Sequence, residues 1–231
     1  MPIAVTALVP GDITGAVTAI QEAFNGDPYS QWVYTDQSKM DLNRNRVSLG
    51  IRCRWGIRNA LFYVAKDTDT EQKDEVLGIA MWMPPRPQEQ KETWSEWFEG
   101  WRLWTEQVVM NSLYGRGGLN VQRYWIWKAK QAEAQSQIWT DPRGYYFLNI
   151  MVVKPGSQGK GIGKALAREV TQRADEEGRR CYLESSRDVP NIKIYEAMGF
   201  HFVKQMDCEE SGDICKLYCM VREPQRPAVE A

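Results

Sequence analysis

A glycine-rich segment from Gln158 to Lys164 (QGKGIGK) has the composition of a turn that binds an anion. Alternating residues from Tyr146 to Val153 precede it and predict a central strand, and an amphipathic pattern that starts at Ile162 predicts a helix. Unpaired backbone N–H groups and the helix dipole at such a turn favour a phosphate group. The segment therefore predicts a site for a phosphate-bearing molecule.

Two common phosphate motifs fit this segment poorly. A nucleotide-triphosphate P-loop would require glycine in place of Gln158 and serine or threonine in place of Ala165. The dinucleotide fingerprint G-x-G-x-x-G fails as well, because its third glycine would fall on Lys164 or on Leu166. Glu184 lies at about the distance expected for a ribose-binding acid, so a dinucleotide stays open as a minor alternative.

A third pattern fits at every position. Gln158, Gly161 and Gly163 form the spacing Q-x-x-G-x-G, which resembles motif A of the GCN5-related N-acetyltransferase superfamily. The later stretch from Asn191 to Phe200 resembles motif B of that superfamily, in which a tyrosine stands four residues before a Gly-Phe pair. Together the two motifs cover residues 145–206 and imply the strand, helix, strand, helix, strand order of that superfamily.

The resemblance implies acetyl-CoA as the cofactor. The backbone edge of the central strand would pair with the pantetheine amides, provided that the next strand, Arg180 to Ser185, splays away from it. Backbone N–H groups of the turn would hold the pyrophosphate, with Coulomb attraction from the two lysines, and the motif B asparagine would contact the cofactor arm. The expected cofactor-binding residues are Ile150, Met151, Val152, Val153, Gln158, Gly159, Lys160, Gly161, Ile162, Gly163, Lys164 and Asn191.

Acetyl transfer from a thioester to an amine benefits from a base for the amine and an acid for the leaving thiolate. In the superfamily the acid is the motif B tyrosine, here Tyr195; an aromatic ring packed under the sheet is the structural alternative. Glu184 is the candidate base, since burial at the end of a central strand would raise its pKa. A buried acid paired with an arginine such as Arg187 is equally consistent, and Tyr146 and Asp188 are weaker candidates.

Together with the expected strands and helices, the resemblance implies the α/β (α+β) fold of that superfamily, a mixed, mostly antiparallel sheet of about seven strands flanked by helices, with a tryptophan-rich insertion added. The expected strands are 3–9, 61–66, 76–82, 145–153, 180–185, 200–206 and 215–221. The expected helices outside the insertion described next are 12–25, with Asp12 as its cap, 37–59, 162–178 and 190–199. An acidic turn is expected at 207–213.

Residues 84–141 are an expected helical insertion, which holds seven of the ten tryptophans and departs from the minimal superfamily pattern. Trp94, Trp97, Trp101 and Trp104 share one helix face. Packing of this face against the domain is the preferred interpretation, and a ligand-lining wall is the alternative. The insertion is expected to cap the acceptor site, because so many tryptophans are unfavourable in water.

Three further segments carry unusual charge or composition. The predicted helix 37–59 has six basic residues and a single acidic one, Asp41. This excess of positive charge indicates either a solvated helix face or a surface that attracts an anionic ligand. Residues 67–75 are expected to form a solvated acidic loop, and 224–231 a disordered tail. The boundaries predict one domain over residues 1–223.

Composition excludes several functional classes. With 43% hydrophobic and 26% charged residues the chain is an ordinary globular sequence, and a net charge of −1 disfavours nucleic acid and anionic lipid as partners. No apolar run reaches membrane-spanning length and no signal pattern follows Met1, so a cytoplasmic location is expected. The five cysteines lack C-x-x-C spacing, which indicates free thiols. Because His201 is the single histidine, both a zinc site and a Ser-His-Asp triad are disfavoured.

The sequence thus predicts an N-acetyltransferase that moves acetyl from acetyl-CoA to a primary amine, with a small-molecule acceptor favoured. Transfer to a protein N-terminus or lysine is the enzymatic alternative. A non-catalytic CoA-binding module, with the tryptophan-rich insertion docking a partner, is the alternative from another class. The oligomeric state stays open between a monomer and a homodimer.

Overall fold

The computed structural model describes residues 3–68 and 75–225, which contain seven strands and seven α-helices. The strands are β1 (Ile3–Ala7), β2 (Leu61–Asp67), β3 (Val76–Met83), β4 (Tyr146–Val153), β5 (Cys181–Ser185), β6 (His201–Glu210) and β7 (Asp213–Arg222). The helices are α1 (Ile13–Ala23), α2 (Pro28–Val33), α3 (Leu42–Asn59), α4 (Trp94–Tyr114), α5 (Val121–Ile138), α6 (Ile162–Glu176) and α7 (Asn191–Glu196).

All seven strands form one sheet in the order β1, β2, β3, β4, β5, β7, β6. Only β4 and β5 pair in parallel, and the other neighbours are antiparallel. The prediction of a mixed, mostly antiparallel sheet of about seven strands is confirmed. The one parallel pair is the one that α6 connects, as the crossover geometry of a β-α-β unit requires.

Helices cover both faces of the sheet. On one face α6 and α7 pack over the middle strands, and the apolar positions of α6 are fully buried there because they recur every three to four residues. On the other face α1 and α3 cover β2 to β4, whereas α2 and α5 cover β5 to β7. The sheet therefore separates two apolar layers along the whole length of β4 and β5.

Several element boundaries differ from the sequence prediction. Strand β6 extends through the expected acidic turn as far as Glu210, and the reversal occurs at Ser211 and Gly212. The short helix α2 was not predicted. Asp12 does not cap α1; its carboxylate accepts a hydrogen bond from the Val9 N–H (3.1 Å) and pairs with Lys66. Most of the expected acidic loop (69–74) and most of the expected tail (226–231) lie outside the described residues.

The expected insertion is two helices, α4 and α5, separated by the glycine-containing break at 115–118. Helix α4 lies against α3, where Arg58 pairs with Glu99 at 2.8 Å. The buried Arg44 donates to the Asn111 side chain and to the Gly115 carbonyl, each at 2.8 Å. Arginines of α3 therefore hold the insertion against the domain. The sequence indicates a solvated helix face or attraction of an anionic ligand, and neither interpretation predicts this role.

The tryptophans of α4 do not pack on the domain. Trp94, Trp97, Trp101 and Trp104 are all exposed, with 45% to 86% of their surface in solvent. The expectation that this helix face is buried in the chain is therefore wrong. Trp127 and Trp139, which lie on or just after α5, do pack into the core over β5 and β7.

Candidate active site

The two central strands separate at a defined point. Pairing of β4 with β5 runs from Tyr146 to Leu148 and stops there, although β4 continues to Val153. On its other side β4 stays paired with β3 over the same length. Residues 150–153 therefore present a backbone edge towards β5 without a neighbouring strand, which is the splay that pairing with pantetheine amides requires.

A β-bulge lies where the strands separate. The register with β3 moves from Leu148 opposite Trp82 to Ile150 opposite Met81, so Asn149 has no cross-strand partner and is exposed. Before the bulge, Leu148 faces α6, and after it Met151 faces α6, which reverses the alternation of side chains. The bulge was not predicted, because Asn149 sits in an otherwise regular apolar run.

The glycine-rich turn leads directly from β4 into α6. Gly161 is the N-cap residue with φ of +78°, and no side chain caps the helix. The first backbone bond runs from the Ala165 N–H to the Gly161 carbonyl at 3.0 Å. The N–H groups of Ile162, Gly163 and Lys164 consequently have no acceptor among residues 3–68 and 75–225. This helix N-terminus fits an anionic group such as a pyrophosphate.

The backbone conformation favours glycine at some positions of the turn and not at others. Gly159 and Gly161 have positive φ, which favours glycine, and open space surrounds both. Gly163 has helical backbone, and a Cβ there would meet its nearest neighbour, Met198, at an ordinary 3.6 Å. The fold therefore tolerates a side chain at 163 and does not itself require the glycine that motif A places there.

The polar side chains of the turn fold back on it. The Gln158 amide donates to the Val153 carbonyl at 3.3 Å, and the Lys160 ammonium donates to the Gly156 carbonyl at 3.2 Å. Lys164 is exposed and lines a groove of about 470 Å³ between α6 and the end of α7. The predicted cofactor residues of β4 and of the turn thus lie together at the open end of the β4 and β5 pair.

Tyr195 lies on α7, in the same apolar layer as Met151, Val153 and Met198. Its ring meets Phe200 edge-on, with ring centroids 6.0 Å apart. Burial raises the pKa of Tyr195 to about 12. Its hydroxyl makes no hydrogen bond to any described residue, so the phenol is available to a ligand.

Asn191 lies in the first turn of α7, and its amide donates to the Ser185 hydroxyl at 3.0 Å. That contact fixes the asparagine beside the end of β5. The predicted contact between Asn191 and the cofactor arm remains a prediction.

Glu184 lies on the opposite face of β5 from Tyr195. Its carboxylate accepts hydrogen bonds from Gln131 (2.8 Å), Tyr182 (2.9 Å) and Gln135 (3.3 Å). Burial raises the pKa of the Glu184 carboxyl, and these three donors oppose that increase.

The alternative partner for Glu184, Arg187, instead donates to the Gly26 carbonyl at 2.8 Å, so the arginine-paired interpretation is wrong. Of the weaker base candidates, Tyr146 lies at the far end of β4 and donates to Glu177 at 2.8 Å. Burial raises its pKa to about 12. Asp188 is exposed and lines a cleft of about 600 Å³ between α2 and the β6 and β7 hairpin.

Sequence reasoning missed the part that the insertion plays around Glu184. Gln131 and Gln135 both come from α5, and Lys128 one turn earlier donates to the side-chain amide oxygen (Oε1) of Gln131 at 2.8 Å. Burial lowers the pKa of Lys128, while the charge of Glu184 opposes this shift. The available signal was weak, because two glutamines four residues apart are common on exposed helices.

Comparison with known proteins agrees with this geometry. Residues 120–202 match the family of the acetyltransferase (GNAT) domain. An uncharacterized N-acetyltransferase of Schizosaccharomyces pombe is 29% identical over 91 residues, which is 38% of this chain and 38% of that protein. The chain thus aligns with well under half the length of that relative.

Solved structures resemble the chain over almost its full length. A histone acetyltransferase HPA2-related protein of Corynebacterium glutamicum has a TM-score of 0.61 at 17% identity, covering 99% of this chain and 100% of that one. Arylalkylamine N-acetyltransferase 2 of Aedes aegypti has a TM-score of 0.61 at 12% identity, covering 97% and 100%. These likenesses establish the fold.

The splayed pair β4 and β5, the uncapped glycine turn and the motif B tyrosine thus occur within a matched domain and a matching fold. Among the described residues no cluster of histidine, cysteine and acidic side chains is placed to hold a metal, and no helix there is long and apolar enough to cross a membrane. The fold, the domain match over residues 120–202 and the two motifs agree, and this part of the chain is similar to the acetyltransferase (GNAT) domain.

Proposed function

We propose that this protein transfers an acetyl group from acetyl-CoA to the primary amine of a small molecule. The observation that carries the proposal is the opening between β4 and β5, which is followed along the chain by the uncapped N-terminus of α6. Tyr195 belongs to the apolar layer on the α6 side of this opening. A strand edge supplies donors and acceptors for amides, and a helix N-terminus supplies donors for phosphates, so one continuous surface suits a molecule that carries both.

In this proposal the edge of residues 150–153 pairs with the pantetheine amides, and the N–H groups of Ile162, Gly163 and Lys164 bind the pyrophosphate. Bound acetyl-CoA supplies an acetyl group activated as a thioester. The exposed Lys164 adds Coulomb attraction to the phosphates. Asn191 holds the end of β5 in position beside the cofactor arm, through its bond to Ser185.

Two side chains then move protons on opposite sides of β5. Glu184 accepts a proton from the acceptor ammonium, so that the nitrogen lone pair becomes available to form the new C–N bond. The nitrogen loses its second proton to solvent as the amide forms, and solvent reprotonates the Tyr195 phenolate afterwards. Tyr195 donates its hydroxyl proton to the sulfur as the C–S bond breaks. Its high pKa keeps the phenol protonated at neutral pH, as an acid must be before the reaction.

A small acceptor is supported by the way the insertion covers the Glu184 face. Helix α5 packs against α2 and β6 and contributes the glutamines that hold Glu184. A solvent-open cleft of about 600 Å³ has a lining that includes Trp32, Asp188 and Tyr218 and that reaches Ser186, two residues after Glu184. Its volume suits a compact amine. We propose that residues 1–223 act as one domain in this reaction.

Release of thiol from acetyl-CoA tests the function directly, using the wild-type chain, a panel of small amines and a panel of peptides with free N-termini or lysines. Burial raises the pKa of all five protein thiols to about 11 or 12, so they contribute little background. We expect amine-dependent release with small amines. Release with peptides alone would contradict the acceptor class. Binding of acetyl-CoA without turnover on any acceptor would indicate a non-catalytic module.

A further inference from the structure

Helix α4 carries an apolar stripe that no described part of the chain covers. Its members share one side of the helix and are Trp94, Trp97, Phe98, Trp101, Trp104, Val108, Val109 and Leu113. Each leaves between 41% and 86% of its surface in solvent. At roughly 200 Å² per aromatic side chain, the five aromatic residues alone expose about 600 Å², the upper end for a patch on a monomer.

Two hydroxyl residues also lie within the stripe, and Arg102, paired with Glu106, lies at its edge. The Thr105 hydroxyl donates to the Trp101 carbonyl at 2.6 Å, and the Ser112 hydroxyl donates to the Val108 carbonyl at 2.9 Å. Both hydroxyls are therefore satisfied within the helix and present mainly carbon to a partner. The tryptophan rings contact one another in series, 5.3 to 6.0 Å apart, which makes the aromatic half a pre-formed surface.

The charges of α4 argue against a lipid surface. Membrane-binding helices combine an apolar face with abundant lysine and arginine on the polar face. Helix α4 has one basic residue, Arg102, which pairs with Glu99 and Glu106 of the same helix. The remaining charged residue of the helix is Glu96, so its net charge is negative, which disfavours phosphate headgroups.

The size gradient along the stripe identifies a complementary partner. Bulky rings fill the N-terminal half, whereas Thr105, Val108, Val109 and Ser112 make the C-terminal half thin. A second copy of α4 laid antiparallel places rings on aliphatic side chains at both ends, with Phe98 facing Val109. A parallel copy would place rings against rings along one half and leave gaps along the other.

We propose that the α4 stripe is the interface of a homodimer, formed by antiparallel pairing of α4 with α4 of a second copy. The aromatic rings alone would bury about 1,200 Å² over two copies, which reaches the size range of stable protein interfaces. The pairing is isologous, because one patch serves both subunits. It lies outside the proposed acetyl-CoA site, so it is independent of the proposed reaction.

Sedimentation equilibrium of the wild-type chain tests the proposal, with Trp101→Glu as the disrupting variant and Trp125→Glu as the matched control. Trp125 is an exposed tryptophan on α5, outside the stripe (63% exposed). We expect a wild-type dimer, an unchanged dimer for Trp125→Glu, and at least ~100-fold weaker association for Trp101→Glu. Circular dichroism checks that each variant is folded. The Trp101→Ser variant removes the ring without adding a charge, so it separates loss of the apolar contact from effects of the glutamate.

Cysteine pairing tests the orientation. In the antiparallel arrangement the two copies of position 98 lie about 16 Å apart along the axis, so Phe98→Cys should not cross-link with itself. Mixing Phe98→Cys with Val109→Cys under mild oxidation should give a disulfide-linked pair.

A wild-type chain that stays monomeric at ~100 μM, or a dimer that Trp101→Glu leaves intact, would overturn the proposal. Rapid self-cross-linking of Phe98→Cys would overturn the antiparallel arrangement. Co-sedimentation of the monomer with phosphatidylcholine vesicles, abolished by Trp101→Glu, would assign the stripe to lipid instead.

Discussion

Helices α4 and α6 are both amphipathic, but α4 leaves its apolar side in solvent, whereas α6 leaves its N-terminus without a cap. Helix α4 has a closed N-terminus, where Thr93 and Glu96 exchange hydrogen bonds in a capping box, and an exposed apolar side. Helix α6 has a buried apolar side and an N-terminus without a side-chain cap. In each helix the part left unsatisfied is the part to which we assign a partner, an anion for α6 and a second copy for α4.

The largest effect is expected at the uncapped end of α6. Gly163→Asp places a carboxylate where a pyrophosphate is proposed to bind, and we expect acetyl-CoA affinity to fall at least ~1000-fold through charge repulsion and lost space. The fold should survive, because aspartate in the first turn of a helix is favourable and a Cβ at this position makes ordinary contacts. Calorimetry with acetyl-CoA measures the change.

The control for this variant is Gly11→Asp, which adds the same charge at a glycine with open surroundings, away from the turn. It should bind acetyl-CoA normally. Undiminished affinity in a folded Gly163→Asp protein would remove the pyrophosphate assignment.

The two apolar faces can be compared by one substitution in two places. Leu166 of α6 is fully buried, whereas Leu113 of α4 is 74% exposed. Leu166→Ala should lower the free energy of unfolding by ~2–5 kcal/mol, because it leaves a cavity. Leu113→Ala should change it by less than ~0.5 kcal/mol in the monomer. Urea denaturation at a concentration that keeps the chain monomeric measures both, and similar losses would mean that the α4 stripe is covered within the chain.

Two tyrosines show the same contrast between a polar group without a partner and one with a partner. The Tyr195 hydroxyl has no described partner, whereas the Tyr146 hydroxyl donates to Glu177. Tyr195→Phe should lower turnover ~10- to 1000-fold with little change in acetyl-CoA affinity, the signature of a lost general acid. Tyr146→Phe should keep turnover and lose ~1 kcal/mol of stability. Full turnover by Tyr195→Phe, with chemistry rate-limiting, would make Tyr195 a packing residue.

The smallest expected effect concerns Glu184, whose carboxylate is enclosed by three donors. A base must be ionised, so the rate should fall as pH drops through the pKa of Glu184, which burial raises above 4.5. Glu184→Gln should lower turnover ~10- to 100-fold and abolish this acid limb of the pH profile.

Gln131→Leu offers a sharper version of the same test. Since the Gln131 amide favours the charged carboxylate, its loss should raise the pKa of Glu184 further and move the acid limb to higher pH. Glu169→Gln, at an exposed carboxylate of α6 outside the proposed site, should leave the profile unchanged. An acid limb that persists in Glu184→Gln would assign the base to another group.

Much of the cofactor side was predictable from sequence, because its signals are local. The strand before the glycine turn, the turn itself and the helix starting at Ile162 occur where expected. Tyr195, four residues before Gly199, also belongs to the same apolar layer as Met151 and Val153 of that strand. Each of these depends on residue spacing within one β-α-β unit, where chain connectivity limits the alternatives.

The acceptor side was not predictable in the same way, because its contacts join distant segments. Nothing local to α5 indicates that Gln131 and Gln135 would bind Glu184. The tryptophan spacing of α4 correctly predicted one apolar face, but such spacing does not specify whether the chain or another molecule covers it. Asn149 gave no signal of a bulge, since the residues on both sides keep strand character.

The bulge at Asn149 acts as a phase shift within β4. Residues before it follow one alternation and residues after it the opposite one, so Leu148 and Met151 share a layer. Removing that one residue would restore a single phase along the strand. Met151 and Val153 would then turn away from Tyr195, and Ile150 and Val152 would replace them. The half of β4 that we propose to bind the cofactor is therefore sensitive to chain length at this position in a way that no side-chain substitution reproduces.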